Sequence, residues 1–157
     1  MHVVTTAGHG GHGKSALVRA LTGRSPGETG AWTELPSGRH VAFIDAPGDE
    51  RSVPEWLAGA APASAVLLAV AADEGWMPQT REHLEALSAL GLRSGVIAVT
   101  KADAADPGPA LRQIRERLAG TALRGAEAVA VSAATGAGAG TCPWRRTGRA
   151  TARWTTP

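Results

Sequence analysis

A glycine-rich segment near the start of the chain has the composition and spacing of a phosphate-binding loop. Residues 8–15 read GHGGHGKS, in which Gly8 and Gly13 lie five positions apart and lysine and serine follow directly. Glycines let backbone N–H groups turn towards a polyphosphate, and the N-terminus of a following helix adds partial positive charge. A lysine placed here reaches the outer phosphates, and a serine ligates Mg²⁺. We therefore predict nucleotide binding by Gly8, His9, Gly10, Gly11, His12, Gly13, Lys14, Ser15 and Ala16.

A second group suited to a metal-bound phosphate follows a later apolar segment. Asp45-Ala46-Pro47-Gly48 comes directly after Phe43-Ile44. The Asp45 carboxylate can hold Mg²⁺ through water, and the Gly48 N–H can contact a γ-phosphate because no side chain blocks it. Alone, these four residues would indicate only a turn. Their position after the phosphate loop favours a metal site made of Ser15 and Asp45.

Two further segments have groups that match the edge of a guanine base. Thr100-Lys101-Ala102-Asp103 follows a buried apolar run. The Asp103 carboxylate can accept two hydrogen bonds from the guanine N1–H and N2–H₂ groups, which adenine does not present, while the aliphatic stem of Lys101 can lie along the base. Ser132-Ala133-Ala134 follows the next predicted strand, where a backbone N–H can meet guanine O6. Together these segments predict a guanine nucleotide, GTP or GDP, as the ligand.

Strand-like and helix-like segments alternate along the chain, as in a parallel sheet with helices on both faces. We expect strands near residues 2–7, 31–35, 40–45, 65–72, 95–100 and 127–131, and helices near 14–23, 52–59, 79–90 and 108–119. Residues 31–44 are typical of an antiparallel hairpin at a sheet edge. The predicted fold is therefore a three-layer α/β P-loop NTPase with a mostly parallel sheet, in which the four motifs meet at the carboxyl ends of the strands.

Composition narrows the class of protein. The 157 residues suit one domain, no apolar run reaches the length of a membrane span, and no secretion signal opens the chain. One cysteine, Cys142, excludes an internal disulfide. We therefore expect a cytoplasmic monomer that does not contact a membrane.

Charge is concentrated at the C-terminus. The net charge is +2, but residues 138–157 hold four arginines and no acid, which leaves −2 on the rest. This argues against a general nucleic-acid surface on the body. We expect a GTP-binding domain over residues 1–136 and a basic, disordered tail over 137–157. Trp144 and Trp154 among these arginines are compatible with single-stranded nucleic acid, and equally with an unselected or frame-altered terminus.

The order of these motifs resembles that of translational GTPases. More narrowly, residues 1–136 resemble the GTP-binding domain of selenocysteine-specific elongation factors. The segments that carry this resemblance are residues 7–9, residues 12–15, residues 73–84 (DEGWMPQTREHL) and Thr100–Asp103. This resemblance implies GTP, GDP and Mg²⁺ as ligands, with the ribosome and tRNA as partners. Residues 73–84 are expected to form a helix opened by Pro78, with a structural or partner-facing role and with His83 on its surface.

The positions at which this sequence differs from the family pattern are expected to affect GTP hydrolysis more than nucleotide binding. Gly11 and Ala16 replace a family aspartate and threonine without altering the backbone cradle. Asp49 stands where the family has a water-orienting histidine, and the linker 24–31 is far shorter than the family's first switch loop. The tRNA- and mRNA-reading domains are absent from this sequence. We therefore assign no catalytic residue, expect impaired hydrolysis, and keep as alternatives a non-switching nucleotide-binding remnant and a decayed elongation-factor fragment.

Overall fold

Six strands form one sheet in the computed structural model, which describes residues 2–24, 31–35, 38–44, 57, 58 and 60–141. The strands are β1 (His2–Ala7), β2 (Trp32–Glu34), β3 (His40–Ile44), β4 (Ala65–Ala71), β5 (Gly95–Thr100) and β6 (Glu127–Ala130). Their order is β2-β3-β1-β4-β5-β6. Only the β2–β3 pair is antiparallel, so the predicted hairpin at the sheet edge is confirmed.

Helices cover both faces of this sheet. They are α1 (Lys14–Thr22), α2 (Pro78–Ala89) and α3 (Gly108–Leu118), and a short 3₁₀ helix spans Ala139–Thr141. The start of α2 at Pro78 follows from a ring that presets the helical φ and lacks an N–H that the first turn does not need. At the end of α1, Gly23 adopts a left-handed φ of 71°, and its N–H bonds to the Arg19 carbonyl.

The core consists of two apolar layers separated by the sheet. Every residue of β4 and β5 is buried, and successive side chains point to opposite faces. Leu67 packs in the layer that contains Leu17 and Leu21 of α1. Leu68 packs in the other layer, beneath Leu84 of α2 and Ile114 of α3, so the chain has the predicted three-layer α/β architecture.

Strand order places the predicted site at a change in winding direction. β1 lies between β3 and β4, so the chain proceeds from β1 to one side of the sheet and later continues on the other. Ligands of parallel sheets bind at the carboxyl ends of strands beside such a point. The phosphate loop, residues 100–103 and residues 132–134 follow β1, β5 and β6 at this edge.

Some predictions lie wholly or partly outside the described residues. These include Asp45 and Gly48, most of the predicted helix 52–59, and tail residues 142–157. Residues 137–141 contact the body, because the Ser132 N–H donates to the Ala137 carbonyl at 2.9 Å and Ala139 packs on the α1 layer. The domain boundary at 136 stays a prediction. In the described part of the chain, no helix has the length and apolarity to cross a membrane.

Truncation of a central leucine tests the layered core. Leu68→Ala removes a fully buried side chain from β4, so we expect a loss of about 2–5 kcal/mol in the free energy of unfolding. Leu90→Ala, at a position 41% exposed, should cost less than about 1 kcal/mol. Urea denaturation without nucleotide measures both; equal losses would contradict the assigned core.

Candidate nucleotide-binding site

Three glycines give the phosphate loop, residues 8–15, its shape. Gly8, Gly11 and Gly13 have φ values of 123°, 78° and 75°, which residues with a Cβ rarely adopt. Gly8 has a second constraint, since a Cβ there would overlap the Ala69 carbonyl oxygen of β4. The loop therefore turns closely over the neighbouring strand before it enters α1.

Lys14 lies against the loop that precedes it. The residue is only 5% exposed, and its Nζ donates to the carbonyls of Gly8 at 3.0 Å and of His9 at 2.9 Å. No side chain caps α1, whose N-cap residue is Gly13, while Ser15 and Ala16 are exposed at the first turn. An ammonium beside a helix N-terminus without a side-chain cap suits a phosphate, so these residues fit the predicted nucleotide.

Helix α2 supports the phosphate loop from the side. The Gly8 N–H donates to His83 Nδ1 at 3.1 Å, and the Gly10 N–H donates to Gln79 Oε1 at 2.9 Å. His83 is 3% exposed, so its expected place on the helix surface was wrong. The N–H groups of Gly8 and Gly10 thus point to α2, which leaves the rest of the loop and the first turn of α1 to form the cradle.

The charge state of His83 follows from this position. Burial is the largest cause that lowers the pKa of His83, from 6.5 to about 4, and electrostatic interactions with Lys14 and His9 lower it further. The imidazole is therefore neutral at pH 7. Because Nδ1 accepts the Gly8 N–H, the ring proton is on Nε2.

His12 lies inside the molecule beneath the loop. It is fully buried, and its Nε2 is 3.6 Å from the Glu74 carboxylate. Burial lowers the pKa of His12, although the Glu74 carboxylate opposes the shift. Its ring also meets the edge of His9 with centroids 5.1 Å apart. Through these contacts the two histidines help to shape the loop.

The predicted base-reading segment is joined directly to the phosphate loop. The Thr100 hydroxyl, buried at the end of β5, donates to the His12 carbonyl at 2.7 Å. Lys101 follows with a left-handed φ of 56°, which is rare for a residue with a side chain. Asp103 is exposed. The segment therefore turns away from the strand and presents a carboxylate to solvent at the edge of the phosphate loop.

Lys101 is held by two acids that follow β4. Its Nζ is 3.1 Å from Asp73 Oδ2 and 3.1 Å from Glu74 Oε1. Hydrogen bonds to Lys101 lower the pKa of both carboxyls, and those to Asp73 and Glu74 raise the pKa of Lys101. Because these side chains are partly exposed, the pairs fix geometry more than they add stability.

The third segment, residues 132–134, lies beside the base-reading segment. The Ala102 N–H donates to the Val131 carbonyl at 3.2 Å. Ser132 is buried, and its Oγ accepts the Thr135 N–H at 3.1 Å, which shapes the turn. Ala133 is half-buried and Ala134 is exposed. The Ala102–Val131 bond thus joins this turn to the segment that contains Asp103, and the guanine O6 contact stays a prediction.

Three predicted segments therefore meet at one edge of the sheet, while Asp45 and Gly48 lie outside the described residues. Sequence reasoning missed Gln79 and His83 as partners of the loop. A signal existed, because both lie on the buried face of α2, at helical spacing from Leu84 and Leu87. Polar residues on such a face need a partner, which here is loop backbone.

Known proteins are similar to this chain in sequence and in fold. The sequence profile of the elongation factor Tu GTP binding domain matches residues 27–143. The selenocysteine-specific elongation factor of Desulfomicrobium baculatum is 44% identical over 152 residues, which cover 87% of this chain and 24% of that protein. The chain therefore spans about a quarter of that relative's length.

Two solved structures are similar as well. The crystal structure of a bacterial selenocysteine-specific elongation factor has a TM-score of 0.78 at 33% identity, covering 90% of this chain and 27% of that one. The translation elongation factor SelB of Methanococcus maripaludis, crystallised with the GTP analogue GppNHp, has a TM-score of 0.77 at 25% identity, covering 86% of this chain and 30% of that one.

The lowered pKa of His83 predicts acid sensitivity of the nucleotide-free protein. Between pH 6.5 and about 4 the unfolded chain binds the proton that folded His83 excludes, so stability is present above pH 6.5 and falls as the pH drops through this window. From pH 7 to 5 we expect His83 to account for a loss of about 1–2 kcal/mol. Urea denaturation of wild type and His83→Asn should show a smaller pH dependence in the variant; an unchanged dependence would contradict the buried neutral imidazole.

Proposed function

This chain belongs to the elongation factor Tu GTP-binding domain family, and we propose that it binds GTP and GDP with Mg²⁺ at the sheet edge described above. It is a GTP-binding domain that resembles the one in selenocysteine-specific elongation factors. The observation that carries the residue assignment is the Lys14 ammonium, held over the loop beside the α1 N-terminus. That arrangement suits a polyphosphate, because an ammonium and a helix N-terminus both favour negative charge.

The phosphate side of the proposed site uses backbone N–H groups and the side chains of Lys14, Ser15 and Asp45. Lys14 would meet the outer phosphates, and the first turn of α1, with Gly11 and Gly13, would surround them with N–H groups. Ser15 would ligate Mg²⁺ directly and Asp45 through water, with the Gly48 N–H against the γ-phosphate. When bound, Mg²⁺ neutralises the negative charge of the β- and γ-phosphates.

The base side would select guanine. Asp103 would accept from N1–H and N2–H₂, the Lys101 stem would lie along the ring, and the Ala133 N–H would donate to O6. Support comes from the bond between the Thr100 hydroxyl and the His12 carbonyl, which keeps the base-reading segment at a set distance from the phosphate loop.

Replacement of the Asp103 carboxylate tests whether the site selects guanine. Asp103→Asn replaces an acceptor oxygen by a donor, so GDP affinity should fall by about tenfold to a hundredfold, while xanthosine diphosphate, which has an oxygen in place of N2, should gain. Asp106→Asn is the matched control, since its exposed carboxylate bonds to the Gly108 N–H, away from the proposed base. Calorimetry with both nucleotides measures the change; unaltered GDP affinity in Asp103→Asn would refute the assignment.

A second candidate function is nucleotide binding without efficient hydrolysis or switching. Asp49 would place an anion near the γ-phosphate where the family has a histidine, and the short linker 24–31 lacks a family-like threonine motif for Mg²⁺. Thr29 is the only threonine in that linker. On this proposal GTP and GDP are bound with similar affinity, because the γ-phosphate orders no loop.

Hydrolysis rates test the second candidate. We expect phosphate release by wild type to stay at the level of Lys14→Ala, and Asp49→His to raise it by at least about tenfold. A multiple-turnover phosphate assay with saturating GTP and Mg²⁺ measures this, with Asp106→His as a control for an added histidine. Wild-type turnover well above the Lys14→Ala level would reject impaired hydrolysis.

The wider role is proposed from the relatives alone. Similarity to selenocysteine-specific elongation factors supports work in the cytoplasm with the ribosome and tRNA. That the chain is a monomer stays a prediction. The parts that hold aminoacyl-tRNA and read mRNA in such factors would have to be supplied by other segments. A decayed fragment is the alternative, and it predicts no stabilisation by GDP in thermal unfolding, whereas a binding domain is stabilised.

A further inference from the structure

The first peptide groups of the phosphate loop are held by side chains of α2. Gly8 and Gly10 donate to His83 and Gln79, which lie 75 and 69 positions later in the chain. Both acceptors are buried, at 3% and 6% exposure. In a buried setting a lost acceptor leaves an N–H without water to replace it, which is costly.

Two carbonyls of the same short segment, those of Gly8 and His9, hold Lys14. Its Nζ donates to the carbonyl oxygens of Gly8 and His9 at 3.0 and 2.9 Å. In the peptide between His9 and Gly10, the carbonyl therefore binds Lys14 while the N–H binds Gln79. A peptide is planar, so its two groups turn together. Rotation of this peptide breaks both bonds at once.

We propose that Gln79 and His83 are positioning residues for the Lys14 ammonium. Gln79 fixes the His9–Gly10 peptide, whose carbonyl Lys14 binds, and His83 fixes the N–H of Gly8, the residue whose own carbonyl is the other acceptor of Lys14. This inference rests on the proposed nucleotide function. It assigns to residues 73–84 a task inside the nucleotide site, where the sequence indicated only a structural or partner-facing helix.

The acceptors themselves are immobile. Leu84 and Leu87 anchor α2 in the core on the same face as His83. Gly8 is confined on its other side by the Ala69 carbonyl of β4, which a Cβ would overlap. Residues 8–10 are thus enclosed by the strand, the helix and the ammonium, so this part of the loop is ordered before a nucleotide binds. Such order reduces the entropic cost of binding.

Paired substitutions test the proposal. His83→Leu and Gln79→Met retain volume but remove the acceptor, while His83→Asn retains an acceptor oxygen near the place of Nδ1. Glu82→Gln, an exposed position on the same helix, is the control. Affinities for GDP and GMP, measured by competition against a fluorescent GDP, are compared with unfolding in urea without nucleotide.

We expect GDP affinity to fall about tenfold in each acceptor-free variant. GMP affinity should fall less than about twofold, because Lys14 serves the outer phosphates. The ratio of GDP to GMP affinity therefore drops, a change that general destabilisation does not produce. His83→Asn should restore the ratio to within about threefold of wild type, and Glu82→Gln should leave it unchanged.

The other outcomes of this experiment distinguish failure of the positioning role from failure of the proposed function. If both acceptor-free variants bind GDP with wild-type affinity and an unaltered ratio of GDP to GMP affinity, the positioning role is overturned while the proposed function stands. Equal losses for GDP and GMP would also overturn it, since the effect would then be general. Absence of GDP binding in wild type would reject the proposed function itself. If His83→Leu does not fold, Gln79→Met, in the first turn of α2, and His83→Asn still test the positioning role.

Discussion

The buried ammonium of Lys14 is the interaction on which the proposed site depends. A charge removed from water is costly unless polar groups surround it. Here the carbonyls of Gly8 and His9 supply that compensation. They face Lys14 only because glycine torsions turn the chain sharply after β1. Strand β1 in turn takes its place from pairing with β3 and β4 on its two sides.

One side-chain hydrogen bond links the phosphate loop to the segment proposed to bind the guanine base. The Thr100 hydroxyl reaches from the end of β5 to the His12 carbonyl in the phosphate loop. Lys101, one position later, is held by Asp73 and Glu74 from the end of β4. Segments after three adjacent strands are therefore joined without any ligand. Phosphate and base would meet a site whose dimensions are already set.

Much of this could be predicted from sequence because it depends on local spacing. The phosphate loop, the edge hairpin and the fully apolar strands β4 and β5 each have a signal within a few residues. The parallel-sheet rule then brings the motifs to one edge. Gln79 and His83 were different. Their helical position indicated a buried face, but their partners lie more than 65 positions away in the chain. The Lys101 pairs with Asp73 and Glu74 were missed for the same reason, although neighbouring strand ends favoured them.

Calorimetric titration of the nucleotide-free protein with GDP and Mg²⁺, beside Lys14→Ala, tests the central claim most directly. The proposed site predicts saturable one-to-one binding by wild type and a loss of at least about a hundredfold in the variant, because the outer phosphates lose their only buried cation among the described residues. The two proteins should have the same fold by circular dichroism. Equal affinity in both, or no binding by wild type, would contradict the claim that this loop holds a guanine nucleotide.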